Sequence, residues 1–526
     1  MNLEAEAVRT MDIHDRDSEN IKIYDMTTEK VDLLSRCKNP GKLETVSTRY
    51  YTHEMNEISP SDNTTTVKTP KTNSGGVKNI YVLGCAFMMV NTAFISLQSL
   101  QSTWNAQNGR GVTSLSCVYG GTVLSCIIAP LVIKHVGTKW SIVSGFGVFA
   151  VYVAVHFYPK HMILIPASVV LGIFLGPVWI GQATYLATTA FVHAMDLKKS
   201  YANTLTRFNG IFWCVFQLSH IWGNFLSVVM LQNEETLSMN MRNNLTMRPY
   251  LCGVDDCGRH ESDIDIAILP DNSVNMLLSV YLGCAMMGML ITMALLETAE
   301  STTEYSWQSS KASSLSMMCA TLRILIDPRV HLLMPLVTFT GLAQGFIFSD
   351  FTKSYVNCEI GVHNIGFVLM TYGAVTAMSA FVIGHMTKHI RRYAMMIAGT
   401  LFNYGLLLTL RIWNPDGEDI LMFYVISGCF GLCDAIWWTQ SNTLFAIMFP
   451  DRQEAAFAAY RIFQSLGFAA SFGYSYWLCV GTKLYILGAV LMVSLVLYSV
   501  VELRLRRSSC HFHHDNENSK IPEVSL

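Results

Sequence analysis

Residues 80–97 read IYVLGCAFMMVNTAFISL, without one charged side chain. A helix needs about 20 apolar residues to cross the hydrocarbon core of a bilayer, so this stretch and its flanks predict a membrane span over 79–100. Eleven more stretches meet the same requirement. They run roughly over 113–134, 138–158, 162–190, 205–230 and 274–296, then 331–350, 363–384, 394–411, 420–446, 456–478 and 483–503. One apolar run could be a buried core helix; twelve in succession predict an all-α membrane protein. Composition agrees. The 526 residues are 51 % hydrophobic and 14 % charged, against about 25 % charged in an ordinary soluble domain. A net charge of −2 offers no basic field to nucleic acid.

Met1 to Lys78 is polar and has no apolar h-region of a secretory signal. The first span must then serve as targeting signal too, and the tail before it has the composition of a disordered segment. Charge in the short loops predicts the orientation. Lys134 and Lys139, then Lys198, Lys199 and Arg207, then Lys388, Arg391 and Arg392, then Arg452 and Arg461 follow even-numbered spans. Only Arg110, Lys160, Lys353 and Arg411 follow odd-numbered ones. The richer set belongs in the cytosol, with both termini, and the long 231–273 loop belongs outside or in a lumen.

That loop agrees with this orientation. Asn244-Leu245-Thr246 is an N-glycosylation sequon, usable only on the lumenal side. Cys252 and Cys257 are spaced for a small disulfide-closed loop in an oxidising compartment. Cys358, in another outer loop, is an alternative partner for either. Most of the 14 cysteines fall inside spans, where they read as packing residues. The sequon Asn63-Thr64-Thr65, in the cytosolic tail, should be silent.

The halves resemble each other. Lys134-His135-Val136-Gly137-Thr138-Lys139 follows span 2; Lys388-His389-Ile390-Arg391-Arg392 follows span 8, an offset of 254 (388 − 134). Arg207 and Arg461 open spans 5 and 11 at the same offset, 461 − 207. Trp179-Ile180-Gly181-Gln182 in span 4 matches Trp437-Trp438-Thr439-Gln440 in span 10, offset by 258 (437 − 179). The expected organisation is a cytosolic tail 1–78, a six-helix bundle 79–296, a cytosolic linker 297–330, a second six-helix bundle 331–503 and a tail 504–526. Six plus six with a linker resembles the major facilitator fold, whose site lies at mid-membrane between the halves. Lys134, Lys139, Lys388 and Arg392 mark its cytosolic gate loops. The superfamily's loop signature keeps Gly137-Thr138-Lys139 but has Pro130 for its first glycine and Lys134 for its acid, which puts ordinary alternating access in doubt.

Closer motifs cover nearly the whole membrane region in order. They are Leu100-Gln101-Ser102; Gly111-Val112-Thr113-Ser114-Leu115-Ser116; Tyr119-Gly120-Gly121; Gly210-Ile211-Phe212; Phe216-Gln217; and Ile221-Trp222-Gly223-Asn224. Cys252-Gly253 and Asp256-Cys257 follow, then Asp350-Phe351-Thr352-Lys353-Ser354-Tyr355, Asp434 to Gln440, Glu454-Ala455-Ala456-Phe457-Ala458 and Ser465-Leu466-Gly467-Phe468. Together they resemble the Unc-93 family of the major facilitator superfamily. The resemblance implies a regulator of a two-pore-domain potassium channel, a trafficking partner of endosomal receptors, or an orphan carrier. One departure is Thr376 in span 8, where the family pattern has an acid.

Asp434 is the most informative residue. It falls halfway along span 10, where an acid costs about 2.5–3.5 kcal/mol to insert. It should therefore face a cavity or a partner, either as a proton or cation site or as a protonated acid hydrogen-bonded to a neighbouring helix. No Lys or Arg is expected at matching depth in another span. Gln182 and Gln440 each lie three residues after a tryptophan, Trp179 and Trp437, on one helical face. They could line a central cavity or merely bond neighbouring helices. Asn91, Gln217, Asn224 and Gln344 share that ambiguity. His220 could titrate, though a lone histidine is more often a satisfied core residue. His511, His513 and His514 read as a solvated tail, and Glu29 to Leu34 resembles an acidic dileucine sorting signal.

No nucleophile elbow, phosphate loop or HExxH motif suggests an enzyme, and nothing calls for a metal or cofactor. Two readings result. The first is a regulatory or trafficking subunit of another membrane protein, such as a potassium channel, in the plasma membrane or an endolysosome. The second is a proton-coupled transporter of a small solute using Asp434.

Overall fold

The computed structural model describes residues 75–104, 109–197, 201–231, 252–257, 271–298, 321–386, 390, 392–415, 419–449 and 453–518. The tail 1–74, Asn244, Lys388 and the dileucine-like segment lie outside the described residues. Among the described residues, twelve long helices carry the fold. They are α1 (Gly76–Trp104), α2 (Arg110–Val136), α3 (Thr138–Val155), α4 (His161–Asp196), α5 (Tyr201–Leu231) and α6 (Asp271–Leu295). The second set is α7 (Pro328–Ile360), α8 (Val362–Met386), α9 (Arg392–Ile412), α10 (Ile420–Met448), α11 (Gln453–Ser475) and α12 (Val480–Asn518). No strand occurs among the described residues.

Local chemistry explains several boundaries. Asp327 caps α7 by accepting from the Arg329 amide at 2.8 Å, with Pro328 in the first turn. Gly137 alone separates α2 from α3, at φ 84°, a left-handed conformation that a side chain would strain. Beyond Phe346, α7 widens into a π-helix over Ile347–Asn357 before a last α-turn at Cys358–Ile360.

Eleven of the helices are long and apolar enough to cross a membrane. The exception is α11, which carries Arg461 within its length. It starts at Gln453, so Arg461 lies two turns inside the helix and does not open it. The equivalence drawn with Arg207 fails on environment: Arg207 is exposed, whereas Arg461 lies among the rings of other helices.

The described residues between 75 and 504 belong to one unit. Helix α2 packs on α11 and α5 on α8, so each half contributes to both seams. The first half has an aromatic core in which Phe87 meets Phe146 edge-on at 5.0 Å and Phe212 at 5.4 Å. Within each half, glycines let helices touch backbone to backbone. A Cβ on Gly172 of α4 would stand 2.2 Å from the Val118 carbonyl oxygen of α2. A Cβ on Gly431 of α10 would stand 2.5 Å from the Tyr372 carbonyl oxygen of α8. Val118 and Tyr372 are offset by 254 (372 − 118) and the glycines by 259 (431 − 172), so the repeat extends to packing.

The cysteines pair differently from the small closed loop expected between Cys252 and Cys257. Cys252 is bridged to Cys358 at the end of α7, and Cys257 to Cys479 between α11 and α12. The reason is local. Gly253–Asp255 forms a 3-10 turn that seats on the second half, with Asp256 accepting from Ser354 Oγ at 2.6 Å and from the Val480 amide at 3.0 Å. That seating delivers each thiol to a partner in the other half. The described segment therefore belongs to the first half by sequence and to the second half by contact.

Candidate functional site: the interface between the two halves

Polar side chains at the depth of Asp434 come from α5, α7, α8 and α10. Asp434 is buried, and its Oδ2 accepts from Gln344 Nε2 of α7 and from the Tyr372 hydroxyl of α8. Both partners lie in the second half, and the acid has no ion pair among the described residues. Tyr372 extends the cluster across the seam. Its ring meets His220 of α5 at 5.4 Å, and His220 also stacks on Phe348 at 5.8 Å. Among the described residues, His220 Nδ1 and Gln217 Oε1, one turn apart on α5, are buried without a hydrogen-bond partner. Thr376, which stands in place of the family acid, is buried and donates to the Tyr372 carbonyl at 2.7 Å.

One turn further along α10 the interface turns aromatic. Trp179 of α4 stacks on Trp213 of α5 at 6.3 Å, and Trp213 meets Trp438 of α10 at 4.7 Å. The Arg461 guanidinium lies 4.5 Å from the Trp179 ring centre and 5.2 Å from that of Trp438. Trp179 lies at the seam between the halves, whereas Trp437 turns to Phe339 of α7 within its own half, edge-on at 5.9 Å. Successive helical residues point about 100° apart, so only one of two adjacent tryptophans can face the seam. Trp438 is the counterpart of Trp179, at the same offset as Gly172 and Gly431, and the match of Gln182 with Gln440 slips by one residue. Gln182 and Gln440 are both buried, and Gln440 donates only to the adjacent Thr439 hydroxyl, at 3.4 Å.

A buried charge pair lies within the second half. Lys483 Nζ of α12 stands 2.6 Å from Asp350 Oδ1 in the π-helical part of α7, and each side chain is 2 % exposed. Ser475 at the end of α11 donates to the same oxygen at 2.7 Å, and Ser349 to Oδ2 at 3.1 Å. The pair ties α7, α11 and α12 at the end that carries the disulfides. It falls where spans 7 and 12 were expected to end and begin.

Arg392 pairs with Glu502 of α12 at 3.1 Å, inside the second half, and Lys139 lies over the adjacent Trp140 ring at 5.9 Å.

With this geometry in place, comparison with known proteins assigns the family. The family described as ion channel regulatory protein UNC-93 matches residues 104–498. This chain belongs to the UNC-93 family. Protein unc-93 homolog A of Xenopus laevis is 36 % identical over 431 residues, 81 % of this chain and 93 % of that protein. The unc-93 protein of Caenorhabditis elegans, named for potassium channel regulation, is 28 % identical over 75 % of this chain and 56 % of its own length. Among solved structures, the E. coli fucose:proton symporter FucP superposes with a TM-score of 0.52 at 14 % identity, covering 82 % of this chain and 99 % of that one. The fold of this UNC-93 member is that of the major facilitator transporters, and the chain is a multi-pass membrane protein.

Proposed function

We propose that this chain is a non-catalytic regulatory or trafficking subunit of another membrane protein, an ion channel such as a potassium channel. Membership of a family described by ion channel regulation, across residues 104–498, carries this reading. The geometry supports it in two ways. Asp434 spends its carboxylate on two donors of its own half, and two disulfides join the 252–257 segment to the second half. A transporter that rocks its halves about a central site would gain nothing from either.

The reading includes a topology. Disulfides persist in oxidising compartments, so the end holding Cys252, Cys257, Cys358 and Cys479 faces outside or a lumen. Both termini and the 297–330 linker then lie in the cytosol, Asn244 is glycosylated, and the resident membrane is the plasma membrane or an endolysosome.

The test is co-expression with a two-pore-domain potassium channel, reading whole-cell current and co-purification in mild detergent. The expected result is stoichiometric recovery and a change in current of at least twofold, both retained in Asp434→Asn. Without either effect, and with pH-gradient-driven solute uptake that Asp434→Asn abolishes, the proton-coupled transporter reading replaces this one.

A further inference from the structure

We propose that Arg461 anchors a binding site for a small anion, of the carboxylate or phosphate class, between the two halves. The rings around it come from both. Trp179 of α4 and Trp438 of α10 lie 4.5 Å and 5.2 Å from the guanidinium, and Trp213 of α5 bridges them. Such rings meet the charge through their faces. The edge of a guanidinium is a different surface, with five N–H donors in a fixed plane. One donates to Gln464 Oε1 at 2.8 Å. Among the described residues no carboxylate comes within ion-pair distance of Arg461.

A cation at membrane depth is tolerated where it is paired or faces a cavity. Asp434, one turn along α10 from Trp438, is committed to Gln344 and Tyr372 and supplies no pair. Arg461 keeps partial exposure despite lying among α4, α5 and α10. Among the described residues, the rest of the edge has no hydrogen-bond acceptor. A planar, doubly accepting anion fits it, because two parallel N–H···O bonds match the guanidinium fork. The tryptophan walls favour an apolar body behind the charged group. The anion could be a free solute or a lipid headgroup, and the two sources share this chemistry. The site does not rest on the regulatory reading.

The full chain is placed in nanodiscs of phosphatidylcholine and titrated with sodium hexanoate and with inorganic phosphate, against sodium chloride at equal ionic strength. Tryptophan fluorescence and melting temperature are read together. A saturable change with at least one of the two probes is expected, weakened at least tenfold in Arg461→Gln and less in Arg461→Lys. Gln464→Glu sets a carboxylate beside the same guanidinium, so it should melt higher than wild type and lose the response. It keeps the test decisive should Arg461→Gln fail to fold. Repeating the titration with phosphatidylglycerol in the discs separates the sources. Suppression of the response, or a response to the lipid alone, makes the occupant a headgroup; an unchanged response makes it a solute. No saturable response to hexanoate, phosphate or phosphatidylglycerol overturns the site, as does a wild-type response in Gln464→Glu.

Discussion

Cys257, in the first half's loop between α5 and α6, is bridged to Cys479 between α11 and α12, 222 residues away. With Cys252–Cys358 this makes two covalent ties from one short segment to the second half. A specific protease site placed in the 299–320 region should cut the chain into halves that stay together on a non-reducing gel and part on reduction. Replacing Cys358 and Cys479 by Ser should let them part without reductant. Halves that separate before reduction in the wild type would rule out the pairing.

Asp434 receives two buried donors, from Gln344 and Tyr372. Asp434→Leu leaves both unsatisfied, at about 1–3 kcal/mol for each stranded group. Asp434→Asn keeps one accepting oxygen and should cost less than half as much. Thermal melting of the purified variants in one detergent checks the order. Equal losses would mean the hydrogen bonds contribute little.

For Asp350 and Lys483 the expectation is a non-additive pair. Lys483→Met alone leaves a buried carboxylate uncompensated and should destabilise by about 3–5 kcal/mol. Adding Asp350→Leu should recover most of that loss, because the desolvation cost of both charges disappears together. A double-mutant cycle in chemical or thermal denaturation measures the coupling; additive losses would show that the pair does not act as a unit.

Gly431 sits where α10 touches α8, and a methyl group there would meet the Tyr372 carbonyl oxygen at 2.5 Å and Thr376 Oγ1 at 2.7 Å. Gly431→Ala should cost about 1–3 kcal/mol through overpacking. Gly431→Ala combined with Thr376→Ala relieves only the side-chain clash and should stay below wild type. Gel filtration and melting temperature report both.

The proposed topology is checked at Asn244. Expressed in glycosylating cells, the wild type should run slower on a gel than Asn244→Gln, and glycosidase treatment should remove the difference. Identical mobility would contradict a lumenal 231–273 loop.

The spans were legible because lipid imposes a coarse, local rule: a helix of sufficient apolar length satisfies all its own backbone groups. The major facilitator arrangement followed from the repeat, since Lys134/Lys388 and the tryptophans of α4 and α10 lie in order. Asp434 could be singled out for the same reason, as a charge in the middle of an apolar run. What the sequence by itself determined is thus the membrane, the helix count, the duplicated halves and the isolation of this acid. Pairing was not determined. Cys252 and Cys257 invited a local bridge, and only the seat of their turn against Ser354 and Val480 sends each thiol to the other half. Trp437 and Trp438 are adjacent in sequence, and the rotation of α10 against α4 and α7 selects which one faces the seam. Asp350 and Lys483 sit near expected span ends, and only helix packing makes them a buried pair. The physical reason is common to all of these: apolar length acts within one helix, whereas a disulfide, an ion pair or a ring over a guanidinium needs two elements distant in sequence to meet in space.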